Sequence, residues 1–424
     1  MSGTPELQRC IERYTQANPN SARQLENAAR VLPGGNTRSV LFYEPFPLVM
    51  SGGNGCFLDD LDGHRYVDFL AEYTAALYGH SHPAITHALT TAMANGLNLS
   101  AHTELEARLA TLIVERFSCI EQVRFTNSGT EANLLALAAA KAYSGRSRII
   151  AFNGGYHGGV LSFHGPTTAM NVPHQVVLAD YNDLHSVERV FQEHRGEVAA
   201  ILVEPMLGAS GCICAESGFL EGLRAMSQAH GALLIFDEVM TSRLGPGGLQ
   251  EKLGIHPDLI TLGKYLGGGM PCGVLGGRKD IMAQFDPRHG GLSHAGTFNN
   301  NVLTMAAGIA GLEQVYTREA ALHLNARGDR LRGQLNEVLA KMPMQFTGQG
   351  SVMNLHPTAL PIRSPWDIPP DRNNLRDLFF FHLLECGIYS ARRGLFALSL
   401  PLTERELTRL VVATQAFAER YGGR

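Results

Sequence analysis

The chain has 424 residues, 45% hydrophobic and 17% charged, with a formal net charge of −4 at pH 7. It can bury a large core, and its length suggests two or three domains. So small a charge, with no Lys/Arg-rich run, argues against a nucleic-acid footprint or a polybasic membrane patch and leaves a small molecule as the expected partner.

The start, MSGTPELQRC, leads into polar text with no apolar signal region, and no uninterrupted apolar stretch reaches the ~18 residues of a spanning helix; a cytoplasmic protein is expected. Residues 5–31 read as one or two helices, with Asn20-Ser21 a cap before ARQLENAARVL and Pro33-Gly34-Gly35-Asn36 a closing loop. CFLDD and RYVDF then flank Leu61-Asp62-Gly63-His64, where Asp-Gly signals a hairpin. From about residue 83, helical segments alternate with the apolar runs VRFT (123), RIIAF (148), VVLA (176), AAILVE (199), ALLIFDEV (232) and LITLG (259). This alternation predicts an α/β fold with a largely parallel sheet covered on both faces. After residue 299 the text is mostly helical, broken by MQFTG and FALSLPL and by a Pro-rich loop at 357–370, as in a smaller α+β domain.

The chain holds seven scattered cysteines without a CxxC, which argues against a disulfide framework and a zinc site. It also holds 46 glycines, against an ordinary usage of roughly 7%. Doublets such as Gly154-Gly155, Gly158-Gly159, Gly267-Gly268-Gly269 and Gly276-Gly277 are either turns or loops whose backbone approaches a ligand.

Three constellations can carry chemistry. Thr126-Asn127-Ser128-Gly129-Thr130-Glu131 joins a strand to a helix whose free first-turn N–H groups suit a phosphate, although the same residues also make an ordinary helix cap. Ile235-Phe236-Asp237-Glu238-Val239 ends an apolar strand in two acids at the sheet edge where α/β proteins bind ligands. Leu262-Gly263-Lys264-Tyr265 ends another strand in a lysine set among glycines. A P-loop is excluded there, since Asp258 and Tyr265 stand where Gly and Ser/Thr are needed. A desolvated, nucleophilic amine and a solvated surface lysine both remain open on these residues alone. His80-Ser81-His82 and His157 lack a carboxylate or cysteine at ligand spacing and read as loop or helix-cap histidines.

In their order, NSGTEAN, GGYHGG, VEPMLGASG, FDEVMTSR, PDLITLGKYLGGGMPCGVLGG and HAGTFNNN resemble the class III aminotransferases of pyridoxal 5′-phosphate (PLP) fold type I over essentially the whole chain. The resemblance implies a large domain with a mainly parallel seven-stranded sheet at 51–305, and a small α+β domain built from 306–424 and the N-terminal 1–50. It implies that Lys264 carries PLP as a Schiff base and that Asp237 pairs with the pyridinium nitrogen. Ser128, Gly129 and Thr130 would bind the phosphate, with Thr297 arriving from the neighbouring subunit of a homodimer. Tyr156 and Val239 would cover the two ring faces, and Glu204 would lie on the ring-hydroxyl side.

NTRSVLFYEPFPL, AEYTAALYGHSHP and IYSARRG resemble the aromatic β-amino-acid aminotransferases in particular. That likeness implies that Arg38 holds the donor's carboxylate, Arg393 the α-carboxylate of 2-oxoglutarate, and Tyr73 and Val40 wall an aromatic pocket. Glutamate-1-semialdehyde 2,1-aminomutase is the alternative. Against it, Phe298-Asn299-Asn300-Asn301 replaces that enzyme's Leu-Ser-Gly-Asn-Pro-like run, and 155–175 lacks its small-residue loop.

Overall fold

Two helices open the chain. α1 (Pro5–Ala17) begins on a proline, is capped by the Thr4 side chain and buries Leu7, Cys10 and Tyr14 along one face. α2 (Pro19–Ala29) is capped at Asn18, not at the expected Asn20-Ser21. The reason lies in the hairpin: the Asp62 carboxylate accepts from Asn20 N at 2.7 Å and from Ser21 N at 3.0 Å, so a distant acid satisfies these first-turn donors. The hairpin's strands, β1 (Met50–Asn54), β2 (Phe57–Asp60) and β3 (Arg65–Asp68), pair antiparallel. Asp60 Oδ1 organises the expected turn by accepting from Asp62 N and His64 N at 2.9 and 2.8 Å.

α3 (Pro83–Ala94) and α4 (Glu104–Arg116) lead into β4 (Gln122–Thr126), α5 (Gly129–Ser144), β5 (Arg148–Phe152), β6 (Gln175–Ala179), α6 (Leu184–Glu193) and β7 (Val198–Val203). A short pair, β8 (Met206–Leu207) and β9 (Ile213–Cys214), precedes α7 (Phe219–His230), β10 (Leu233–Asp237), α8 (Gly248–Leu253), β11 (Leu259–Gly263), β12 (Gly273–Gly277) and α9 (Lys279–Met282). The large sheet runs β4-β12-β11-β10-β7-β5-β6, and only β12 is antiparallel to its neighbours. Every residue of β7, β10 and β11 is buried, which is why these strands read as continuous apolar runs. All six predicted runs are strands of this sheet. The seventh, GVLGG, hid behind its glycines.

α10 (Val302–Ala310), α11 (Arg318–Val338), β13 (Gln345–Gln349), β14 (Val352–His356), α12 (Leu375–Glu385), β15 (Ile388–Tyr389), β16 (Leu395–Ala397) and α13 (Glu404–Tyr421) complete the chain. β13, β14 and β16 form an antiparallel sheet, whose Phe346 and Phe396 pack edge-on with ring centroids 5.3 Å apart. β15 pairs in parallel with β3, so the hairpin is hydrogen-bonded to the C-terminal segment and not to the large sheet.

The computed structural model describes residues 4–164, 169–289, 291–371 and 374–422, so 165–168 of the stretch 155–175 lie outside the described residues. Among the described residues no helix is long and apolar enough to cross a membrane, and the seven cysteines are unpaired.

Candidate active site

β4, β10 and β11 all end at one edge of the large sheet, and the three constellations meet there. Asp237 is the last residue of β10 and is buried. Its Oδ2 accepts from Asn133 Nδ2 at 2.8 Å and lies 2.8 Å from His157 Nδ1, while its Oδ1 accepts from Val239 N at 3.0 Å. Asn133 is itself fixed by Thr261 Oγ1, which donates to its Oδ1 at 2.7 Å. This chain of bonds orients one carboxylate from three elements. His157 lies in the loop between β5 and β6, as expected of a loop histidine, but is buried against Asp237, a partner the sequence did not show. Asn133 was also missed, and its signal was a lone amide in the otherwise apolar run ANLLALAAA. His82 does cap α3, its Nδ1 accepting from Ala84 N at 3.3 Å.

The N-terminus of α5 is both capped and closely packed. Ser128 Oγ accepts from Glu131 N at 3.2 Å, and the Glu131 carboxylate accepts from Asn127 N at 2.8 Å, so the capping reading of these residues holds. The close approach is equally real: a Cβ on Gly129 would stand 2.7 Å from Val239 Cγ2, and one on Gly158, at φ 130°, would stand 2.2 Å from Thr130 Oγ1. Tyr156 leaves its side chain half-exposed while its backbone N donates to Glu204 Oε1 at 2.9 Å. Glu204 Oε2 accepts from Gly208 N at 3.0 Å. Burial, with Asp237 adding repulsion, pushes the Glu204 carboxyl up to about 7.

Lys264 follows β11 directly with φ 54°, and its Nζ donates to Tyr73 O at 2.6 Å and Thr74 Oγ1 at 2.8 Å. Burial pushes this amine down to about 8, against the pull of nearby Asp237, while the Arg243 and Arg393 charges lower it further. Its hydrogen-bond partners are neutral oxygens, so no carboxylate is bonded to it.

Tyr73, whose carbonyl accepts from Lys264, also lines a cavity of about 360 Å³ with Val40, Phe42, Tyr389, Arg393 and others. The Arg393 guanidinium stands 5.2 Å from the Tyr73 ring centroid and that of Arg38 5.9 Å. The Tyr73 hydroxyl donates to Val40 O at 2.9 Å, which pins the loop carrying Arg38. Arg38 pairs with Glu72. Among the described residues Arg393 makes one hydrogen bond, of 3.3 Å to Ala209 O, and its buried Nε has no partner.

Arg243 was also missed. It is wholly buried and donates to Ser351 Oγ at 3.1 Å, to Thr74 O at 3.1 Å and to Leu398 O. The chain's own Thr297 does not join the cup. It is exposed, in a separate recess of about 490 Å³ formed with 98–103 and 300–302. From the same run, Asn299 Oδ1 accepts from Asn127 Nδ2 at 3.0 Å, beside the cup.

A phosphorylated pyridine aldehyde fits these residues: an amine held near neutrality for the aldehyde, a carboxylate with lone pairs to spare for the ring nitrogen, and a glycine-walled helix start for the phosphate.

Known proteins agree with that fit. The sequence pattern of the family described as aminotransferase class-III matches residues 42–357. Over 412 residues the chain is 55% identical to the beta-phenylalanine transaminase of Variovorax paradoxus, covering 97% of this chain and 95% of that one. The crystal structure of a beta-phenylalanine aminotransferase from the same organism matches with a TM-score of 0.97 and 54% identity, covering 99% of this chain and 98% of that one. The glutamate-1-semialdehyde 2,1-aminomutase of Methanothermobacter thermautotrophicus is 37% identical over 384 residues, covering 87% and 91%. A transaminase solved with PLP bound matches with a TM-score of 0.87 and 31% identity, covering 95% and 98%.

Proposed function

Because the chain belongs to the class-III aminotransferases, and so is a PLP-dependent transaminase, we propose that it moves the 3-amino group of an aromatic β-amino acid to 2-oxoglutarate. The observation that carries this reading is the pair of guanidiniums around one aromatic ring, Arg38 and Arg393 about Tyr73, at a cavity with an aromatic wall. A planar guanidinium grips a carboxylate through two parallel bonds. Arg38 holds the carboxylate of the donor, whose aryl group lies against Val40 and Tyr73. Arg393, which no carboxylate among the described residues pairs, takes the α-carboxylate of the 2-oxo acid.

Bound PLP supplies a carbonyl carbon that captures the amine and a cationic ring that accepts the electron pair left when the amine-bearing carbon loses its proton. Asp237 keeps a proton on the ring nitrogen, oriented for this by Asn133 and His157. The Lys264 amine, once free of the cofactor, would take the proton from C3 of the donor and serve as the general acid–base that moves it. Ser128, Gly129 and Thr130 anchor the phosphate, Tyr156 and Val239 confine the ring, and Glu204 faces the ring-hydroxyl side. The donor leaves as a 3-oxo acid before the acceptor enters, so the kinetics are ping-pong.

We read the enzyme as a homodimer in which Thr297 of a second copy completes the phosphate cup. The supporting features are the position of this chain's Thr297 away from its own cup and the exposed apolar Leu97, Leu99 and Phe298 around it.

Incubating the enzyme with (S)-3-amino-3-phenylpropanoate and 2-oxoglutarate should yield glutamate. An inert mixture, alongside isomerisation of glutamate 1-semialdehyde, would overturn the assignment in favour of the aminomutase. Arg38→Ala should raise the donor's KM by roughly 10- to 100-fold, the worth of a charged hydrogen-bonded pair; an unchanged KM removes Arg38 from the site.

A further inference from the structure

Ala71, Glu72, Tyr73 and Thr74 follow one another with φ of 45°, 49°, 53° and 80°. This is a full turn of left-handed backbone without a glycine, a handedness disfavoured for L-residues and most of all for a β-branched one such as Thr74. Such a turn persists only where its surroundings force it. Here Asp68 Oδ1 accepts from Leu70 N at 2.8 Å and Ala71 N at 2.9 Å, and Asp68 Oδ2 lies 3.0 Å from His80 Nε2. Buried Arg243 holds the far end through Thr74 O. What this anchoring produces is two oxygens, Tyr73 O and Thr74 Oγ1, 2.6 and 2.8 Å from Lys264 Nζ, with Thr74 itself fully buried.

We propose that Thr74 is a positioning residue whose hydroxyl, with the Tyr73 carbonyl, seats the Lys264 amine whenever it is not bonded to the cofactor, and so fixes the point from which the proton is moved. This rests on Lys264 being the cofactor-bearing lysine. Both oxygens accept from the amine, so they favour its protonated form and offset part of the effect of burial. The charged and titratable groups facing the amine include Asp237, Glu204, Arg243, Arg393 and the Cys212 thiol, and substituting Thr74 replaces none of them. Without the hydroxyl the amine loses both a charge-stabilising acceptor and its fixed position.

The test is reductive methylation of the full-length apoprotein with formaldehyde across pH, read at Lys264 by peptide mass, with Lys141, Lys252, Lys279 and Lys341 as internal references. In Thr74→Val the pH midpoint for Lys264 should fall by about one to two units, the size expected from losing one hydrogen bond to the charged form, while the reference lysines stay put. Thr74→Ala should show the same fall. In the holoenzyme kcat should drop ~10-fold with the donor's KM nearly unchanged, and Thr74→Ser should restore both readouts. A midpoint that stays at the wild-type value in Thr74→Val and Thr74→Ala overturns the proposal, as does a Thr74→Ser enzyme that behaves like Thr74→Val, since that would show a packing role. Borohydride reduction of the wild-type holoenzyme checks the premise separately: a pyridoxyl group found on another lysine overturns the reading of Lys264 itself.

Discussion

Arg38 and Arg393 share the Tyr73 ring but not the same circumstances. Among the described residues Arg393 has one long backbone bond and a buried Nε without a partner, so a carboxylate arriving there displaces little. Arg38 is already paired with Glu72, a neighbour of the residue that supplies the aromatic ring. A donor carboxylate bound by Arg38 must therefore displace Glu72 or accept its repulsion. Both partners are half-exposed, so the pair is worth at most about 1 kcal/mol. Glu72→Gln should accordingly lower the donor's KM by up to about fivefold, with kcat and the KM for 2-oxoglutarate little changed. Steady-state kinetics with both substrates varied would decide it, and a donor KM that rises would show that Glu72 assists binding. The strand-edge positions of Asp237 and Lys264 were legible, the one ending an apolar strand and the other directly following one, but only the order of the surrounding motifs suggested roles for them. The roles of Glu72, Asn133 and His157 were not legible, because what defines each is a partner far away in sequence.

At the level of elements, β12 shows why the large sheet was only partly legible. β-Branched apolar runs announced six strands, but GVLGG carries glycine where a strand usually carries a side chain to pack. The structure explains the choice: a Cβ on Gly273 would stand 2.0 Å from Ser128 O, and one on Gly277 would stand 2.5 Å from Asp258 O. At Gly273, β12 is thus pressed against the turn that opens α5, the turn proposed above to hold the phosphate. Gly273→Ala should push Ser128 and Gly129 out of place, costing about 1–3 kcal/mol as overpacking, and should weaken PLP binding measurably. Thermal melts and PLP titrations would read the two effects. Gly52→Ala, where an added Cβ meets nothing within 4 Å, is the matched control. If Gly273→Ala melts and binds PLP like Gly52→Ala, that turn does not depend on the contact. The α2 cap was misplaced for a related reason, since the acid that satisfies its first turn comes from the hairpin.

At the scale of the whole molecule, the proposal that Thr297 of a second copy completes the phosphate cup makes a prediction of its own. Within one chain, Thr297 lies in a recess bordered by 98–103, with none of Ser128, Asp237 or Lys264 lining it. The exposed Leu97, Leu99 and Phe298 give that region apolar surface that a second copy would cover. Shared sites can be distinguished from self-contained ones by complementation. One chain carries Lys264→Ala and keeps Thr297, while the other carries Thr297→Ala and keeps Lys264. If Thr297 acts across the dimer, a mixed dimer holds one intact site, in which Lys264 of the second chain meets Thr297 of the first. It should then bind one PLP per dimer with wild-type affinity and show about half the wild-type activity per dimer. The Thr297→Ala homodimer should bind PLP roughly 10- to 100-fold more weakly, the loss of one hydrogen bond to a charged phosphate. If Thr297 instead serves its own chain, every Lys264-bearing site in the mixed dimer lacks it, and mixing restores nothing. Co-expression with two affinity tags isolates the mixed dimer, and PLP titration of that species gives the answer without depending on which amino acid the enzyme prefers.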